Sequence, residues 1–275
     1  VLGDLFSLRG LSKLNSLTLH SVQVSGDLSA LENLTELQSL NLRHTPLSGD
    51  ILGLRRLVKL ETMYLQNLQG FGDLASFRNL SQLRHLHLEE CGISGDLSGL
   101  KGLTELTSLR IHHQKVSGDI SNFEKLQKLQ WLILRGTLIS GDMAHLPRWP
   151  ELRFLDFEAI HLSGDISGLQ HLTELKDLYL KGNPGIGGDL SGLQNLTALK
   201  NLHIEDTNVS GDISSLQNMR QLRFILIEGA PEICGSLSGI ENLRKIRELW
   251  LEKARKVTGK LKDLQYFPHL KVVRL

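Results

Sequence analysis

The residues best placed for chemistry are four histidines with two glutamates: His85, His87, His112, His113, Glu89 and Glu90. His112 follows Glu89 by 23 residues, and His113 follows Glu90 by the same interval. Imidazole and carboxylate can ligate zinc together when four donors close a tetrahedron. A second set is a row of aspartates: Asp4, Asp27, Asp50, Asp73, Asp96, Asp119, Asp142, Asp165, Asp189 and Asp212. One carboxylate per step can cap the helical turn that follows it by accepting a backbone N–H. Calcium would need six or more oxygens in one place, more than a single aspartate per step supplies. A third candidate, Gly182 to Gly188, has the glycine density of a phosphate loop, but no lysine follows it and it opens no helix. Nucleophile elbow, carboxylate pair and cofactor loop are all missing, so the expectation is a protein that is no enzyme and binds no cofactor or metal.

The intervals relating these residues come from a period in the chain. The phrase LSGDIS at Leu162 to Ser167 returns as VSGDLS at Val24, ISGDLS at Ile93 and VSGDIS at Val116 and Val209. Its aspartates are spaced by 23 seven times, then by 24, then by 23, after which Ser236 and Lys260 hold the slot. A fixed period of this size marks a stacked repeat array. The repeat is LxxLxLxxTxVSGDISxLxxLxx, numbered here from position one. Leucines at positions four and six (Leu17, Leu19; Leu40, Leu42) alternate with polar residues as in a half-buried strand. Leu28, Leu31, Leu34 and Leu37 recur every three residues, the spacing of 3₁₀ turns. Position thirteen is glycine in every turn from Gly3 to Gly259, a sign of positive φ or of close approach between coils.

LxxLxLxx followed by LSGxI resembles the plant-type class of leucine-rich repeats across the whole chain. The resemblance implies an α/β solenoid: a right-handed horseshoe with a parallel sheet of about twelve short strands on the concave side and 3₁₀ or irregular turns on the convex side. Two departures stand out. The proline after the LSGxI isoleucine is missing and most turns are one residue shorter. The asparagine ladder at position nine is nearly gone, its slots filled by residues such as Thr45, Cys91, Gln114, Thr137, Ile160 and Asn183. What satisfies the loop backbone is then an open question. Residues 1–275 read as a single array that opens in mid-phrase at Val1 and stops inside a strand motif at Leu275. Neither end carries the polar cap such arrays need, so a longer parent chain is expected.

Apolar residues make up 40% of the chain and aromatics 5%, a balance that suits a core of stacked leucines. The net charge of +1 hides an asymmetry, because ten of the thirty acids belong to the aspartate slot. No basic run gathers the remaining surplus, so nucleic acid is not the expected ligand. Cys91 and Cys234 lie six repeats apart, about 30 Å at a strand spacing of about 5 Å, too far to pair. No run approaches about eighteen apolar residues, so no membrane span is expected in this segment. Glycosylation acceptors match at Asn33, Asn79, Asn195 and Asn208. Three of them fall in one slot that the repeat itself writes as Asn-Leu-Thr or Asn-Leu-Ser, and they gain meaning only in a secreted protein. The compartment is left open.

Positions two, three, five, seven and eight should project from the inner sheet, since the leucines between them point inward. Two apolar clusters emerge: Trp131, Ile133 and Phe154, then Phe224, Leu226 and Trp250, with Tyr179 between them. Large apolar side chains on an open sheet mark contact sites, unless flanking parts of the same chain cover them. Position two reads Arg153, Lys176, Lys200, Arg223, Arg247 and Lys271, while position seven reads Glu158, Lys181, Glu205, Glu228 and Glu252. Such polarity orients a protein partner, whereas a nucleic-acid groove would be basic on both margins. The expected function is a non-catalytic scaffold that binds a protein partner on the concave face through Trp131, Ile133, Phe154, Tyr179, Phe224, Leu226, Trp250, Arg153, Arg223 and Arg247. The alternatives are a building block of a large multiprotein assembly and the ligand-sensing ectodomain of a plant-like receptor.

Overall fold

A computed structural model describes residues 2–275; Val1, the first residue of the opening phrase, lies outside the described residues. The chain divides into two compact units between Ile139 and Ser140. Both are built from two kinds of strand, one on LxL and one on SGD, with twelve of each kind in all among the described residues, forming parallel sheets joined by 3₁₀ turns.

In the first unit the LxL strands are Ser16–His20, Ser39–Arg43, Thr62–Gln66, His85–Glu89, Ser108–His112 and Trp131–Arg135. They pair one full repeat apart, with Ser39 opposite Thr62 and Arg43 opposite Gln66. Leu40, Leu42, Leu47, Leu54 and Leu57 are wholly buried, as are their counterparts in the following coils. Each such side chain contributes about 1.5–3 kcal/mol of burial, which a coil obtains only from neighbours on both sides. Leu17 and Leu40 point into the core while Trp131 keeps 44% of its surface, so the register read from the sequence is correct.

In the second unit the LxL strands are Phe154–Glu158, Asp177–Lys181, Asn201–Glu205, Phe224–Glu228, Glu248–Trp250 and Val272–Arg274. Asp177 pairs with Asn201, an interval of 24, so the coil between them holds one extra residue. That residue is absorbed in the turn Asn183 to Ile186, where the Ile186 N–H donates to the Asn183 carbonyl at 3.0 Å. The Gly182 to Gly188 loop therefore accommodates an insertion.

The SGD strands form a sheet that the sequence reading treated as turn. Gly26 lies opposite Leu47 and Asp27 opposite Ser48, two residues short of the LxL register. Four or five residues containing a glycine carry little strand signal of their own; stacking of successive coils aligns them. Each SGD aspartate then caps the 3₁₀ turn it precedes. Its carboxylate accepts the N–H two residues on at 2.7–2.8 Å, from Asp4 through Asp212. Where the slot changes, so does the cap. The Ser236 hydroxyl accepts from Ser238 at 3.3 Å, and at Lys260 the Asp263 carboxylate accepts the Lys260 N–H at 2.8 Å.

The adjoining glycine has a steric reason. Gly95 sits at φ +104°, and a methyl group there would come within 2.5 Å of the Asp73 carboxylate in the preceding coil. The same fit recurs at Gly26, Gly49, Gly118, Gly164, Gly188, Gly211 and Gly235, where the preceding coil's capping carboxylate lies within 2.8 Å of such a methyl group.

The open question about the loop backbone is answered mainly at position eight. Ser21, His44, Asn67, Glu90, His113, Ala159, Asp206 and Lys253 all lie at φ between +48° and +62°, with Gly136, Gly182 and Gly229 in the same slot of other turns. The left-handed kink keeps the ladder going past the strand: the Ser21 N–H donates to Arg43 O and the Asp206 N–H to Glu228 O, both at 3.0 Å. At position nine, Gln114 Oε1 accepts the Ile93 N–H at 2.9 Å and Asn183 Oδ1 accepts the Ile160 N–H at 3.3 Å. The hydroxyls of Thr45 and Thr137 are buried without a hydrogen-bond partner, so threonine does not replace asparagine there.

Candidate functional site

On the second unit, alternation along the LxL strands turns positions three and five away from the leucine core. One ring per strand builds a continuous row. Phe154 and Tyr179 have centroids 5.4 Å apart, Tyr179 and His203 5.8 Å, His203 and Phe224 6.4 Å, and Phe224 and Trp250 5.7 Å. The Arg274 guanidinium closes the row 3.9 Å from the Trp250 ring. Phe154, Tyr179, Phe224 and Trp250 were expected here, but His203 was not, although it joins the two halves of the row. Leu226 is a correction: only 6% of its surface remains, because His203 and Trp250 flank it in register on either side. Trp250 is half-buried, and its indole N–H has no acceptor.

The margins of this row differ in kind. The position-seven glutamates are largely neutralised: Glu205 contacts Lys181 at 3.2 Å and His203 at 2.8 Å, Glu228 contacts Lys253 at 2.8 Å, and Glu252 contacts Arg274 at 3.5 Å. Burial works to raise the Glu205 carboxyl, but the hydrogen bonds from His203 and Lys181 outweigh it and hold the group below the usual carboxylate range. The position-two residues Arg153, Arg223 and Arg247 are exposed and lie just before their strands.

On the first unit, Trp131 is exposed and Ile133 half-buried on the last LxL strand, opposite Ser108 and Arg110. Further back lies a polar cleft of about 240 Å³ lined by Arg43, Tyr64, Gln66, His87, Glu89 and Arg110. Arg43 stacks 4.7 Å over Tyr64, whose ring meets His87 edge-on at 4.4 Å. The His87 Nε2 lies 2.9 Å from the Ser108 hydroxyl, and Arg110 bonds Glu89 at 3.3 Å. Burial, then the positive field of Arg110, His85 and Arg43, push the His87 imidazole down to about 4 against a smaller opposing effect of Glu89. Glu89 and Glu90 do stand beside His112 and His113, at 3.2 and 3.4 Å. The two imidazoles stack with centroids 4.0 Å apart, but among the described residues no three His, Cys, Asp or Glu side chains converge as metal ligands. Cys91 and Cys234 are free thiols, and burial raises that of Cys91 to about 12. No helix of the described residues is long and apolar enough to cross a membrane.

No family model matches this sequence, and neither does any curated protein. Solved structures do match. A plant peptide hormone receptor, RGFR1 in complex with RGF2, superposes with a TM-score of 0.79 at 20% identity, over 99% of this chain and 49% of that one. PEPR1 with AtPEP1 gives 0.84 at 21% identity, over 98% of this chain and 39% of that one. The internalin inlF of Listeria monocytogenes gives 0.74 at 22% identity, over 98% of this chain and 82% of that one. The chain is a leucine-rich-repeat protein in fold. Identities this low show the fold alone, and the chain spans about half the length of the receptor RGFR1.

Proposed function

We propose that this protein is a non-catalytic recognition scaffold that holds an extended protein segment against the aromatic row of its second unit. The observation that carries the reading is the unbroken row from Phe154 to Trp250, with rings 5.4–6.4 Å apart and no repeat-consensus reason to be aromatic. Positions three and five of the first unit hold Ser16, Ser39, Thr18 and Asn41 without loss of the fold. Half-buried rings on a rigid sheet supply large contact area at low entropic cost, which is how binding anchors work. The receptors similar in fold were solved with RGF2 and AtPEP1 bound, which supports a protein or peptide ligand here. Trp131 and Ile133 on the first unit are proposed as further contact residues.

A peptide library selected on the whole chain tests the reading. Selected peptides should bind the Phe224→Ala, Trp250→Ala variant at least about tenfold more weakly, since two anchors are removed. They should also protect the Asn201–Glu205 and Phe224–Glu228 amides from hydrogen exchange. Equal affinity for both proteins would move the docking surface elsewhere. The pair Trp131→Ala, Phe154→Ala reports whether the footprint extends further.

A further inference from the structure

We propose that the segment docking on the second unit is acidic and is steered by a rail of cations formed by Arg153, Lys176, Lys200, Arg223, Arg247 and Lys271. This rests on the reading of that face as the docking surface and adds the chemistry of what docks there.

Backbone geometry fixes the rail. The N–H of Lys176 donates to Arg153 O at 2.8 Å, and Lys200, Arg223, Arg247 and Lys271 each donate to the preceding member at 2.7 Å. Bonded in this way, successive members stand about 4.8 Å apart, so the whole rail is about 24 Å long. Like charges at that spacing repel one another. None of the six side chains forms an ion pair among the described residues, whereas the glutamates of the opposite margin are paired at Glu205, Glu228 and Glu252. Asp177 and Glu248 lie beside the rail at position three, and Asp177 already accepts from the Asn201 amide. The balance along this margin is therefore positive and uncompensated, in a chain whose net charge is only +1.

The repeat does not require these cations. The same position in the first unit reads Asn15, Gln38, Glu61, Arg84, Thr107 and Gln130, with equivalent backbone bonds such as Gln38 N–H to Asn15 O at 2.8 Å. A repulsive row that the fold does not need is best explained by a partner that offsets it. An extended chain advances about 3.3 Å per residue, so a segment of about seven residues with several carboxylates spans the rail. Nucleic acid fits less well. Base stacking needs open ring faces, and three of the four ring pairs in the adjacent row stand at 62–72° to each other, edge against face.

Fluorescence anisotropy of a labelled peptide alternating Glu and Phe tests this against the whole chain, with a Gln/Phe analogue and single-stranded oligouridylate as further probes. Reversing two rail charges, Arg223→Glu with Arg247→Glu, should weaken the Glu/Phe peptide by about tenfold or more at low salt, and added salt should erase most of that difference. The exposed off-rail pair Arg244→Glu with Lys262→Glu, which changes net charge equally, should change affinity by less than about twofold. Equal weakening by both pairs, or tighter binding of oligouridylate than of the peptide, would overturn the proposal. If the Gln/Phe analogue binds as well as Glu/Phe and rail reversal has no effect, the acidic partner is wrong while docking on the aromatic row stands. If neither peptide binds, both readings fall.

Discussion

Gly95→Ala would put a methyl group where the Asp73 carboxylate caps the preceding coil, at a φ that L-residues rarely adopt. The expected loss is roughly 1–3 kcal/mol in urea unfolding. Asp73→Ala alone removes the bond to the Ala75 N–H and should lose about 1 kcal/mol. Because the two residues share one volume, the double variant should lose less than the sum, and additive losses would show that the interlock is wrong. His87 allows a second test at this scale. Its folded value of about 4 lies below the ordinary imidazole value of 6.5, so between those pH values the unfolded chain takes up a proton that the folded chain refuses. The stability this neutral histidine contributes is complete above pH 6.5 and is lost as pH falls toward 4. An NMR titration should place its midpoint near 4, and His87→Gln should flatten the pH dependence of the urea midpoint over that range. The caps and the glycine slot were legible in the sequence because one phrase repeats them. The field around His87 was not, since Arg43 and Arg110 approach it from other strands.

At the level of elements, the LxL strands and 3₁₀ turns were legible because two short periodicities recur in every coil. The SGD sheet escaped notice, as a strand of four residues such as Leu47–Asp50 is aligned by its neighbours and has no pattern of its own. The left-handed slot at position eight left a trace, with Gly136, Gly182, Gly229, Asn67 and Asp206 among its occupants, residue types that tolerate positive φ. Ala159 is the one occupant that neither is glycine nor has a polar side chain, and it sits at φ +51°. Ala159→Gly should therefore stabilise the second unit by about 1 kcal/mol, read as a higher urea midpoint. Ala159→Pro should do the reverse, since the Ala159 N–H donates to Lys181 O at 2.8 Å and proline cannot reach that φ. Loss of stability on introducing glycine would mean that the kink is misplaced.

Over the whole molecule, a coil buries its leucines only against the coils beside it, so stability is a sum of nearest-neighbour contributions. Leu86→Ala in the first unit, at a wholly buried site, should lose about 2–5 kcal/mol. Faster amide exchange should concentrate in the adjoining strands Thr62–Gln66 and Ser108–His112, with little change in the second unit. Uniform loss of protection along the chain would contradict this locality. The same stacking explains how much of the candidate site could be read in advance. Period arithmetic assigns each side chain to its row, and so it found Phe154, Tyr179, Phe224 and Trp250. Depth depends on the size of the neighbours across the sheet, which is why Leu226 proved covered and His203 proved a link.

The fit between a capping carboxylate and the glycine after it also sets the grammar by which such a protein can change. Beyond the leucine contacts and strand pairing that any neighbour supplies, such a coil asks of its successor a vacancy at one point. Among coils that carry both the aspartate and the glycine, segments cut at that point can be duplicated, deleted or reordered with this contact still matching, so new surfaces can be assembled by shuffling whole coils.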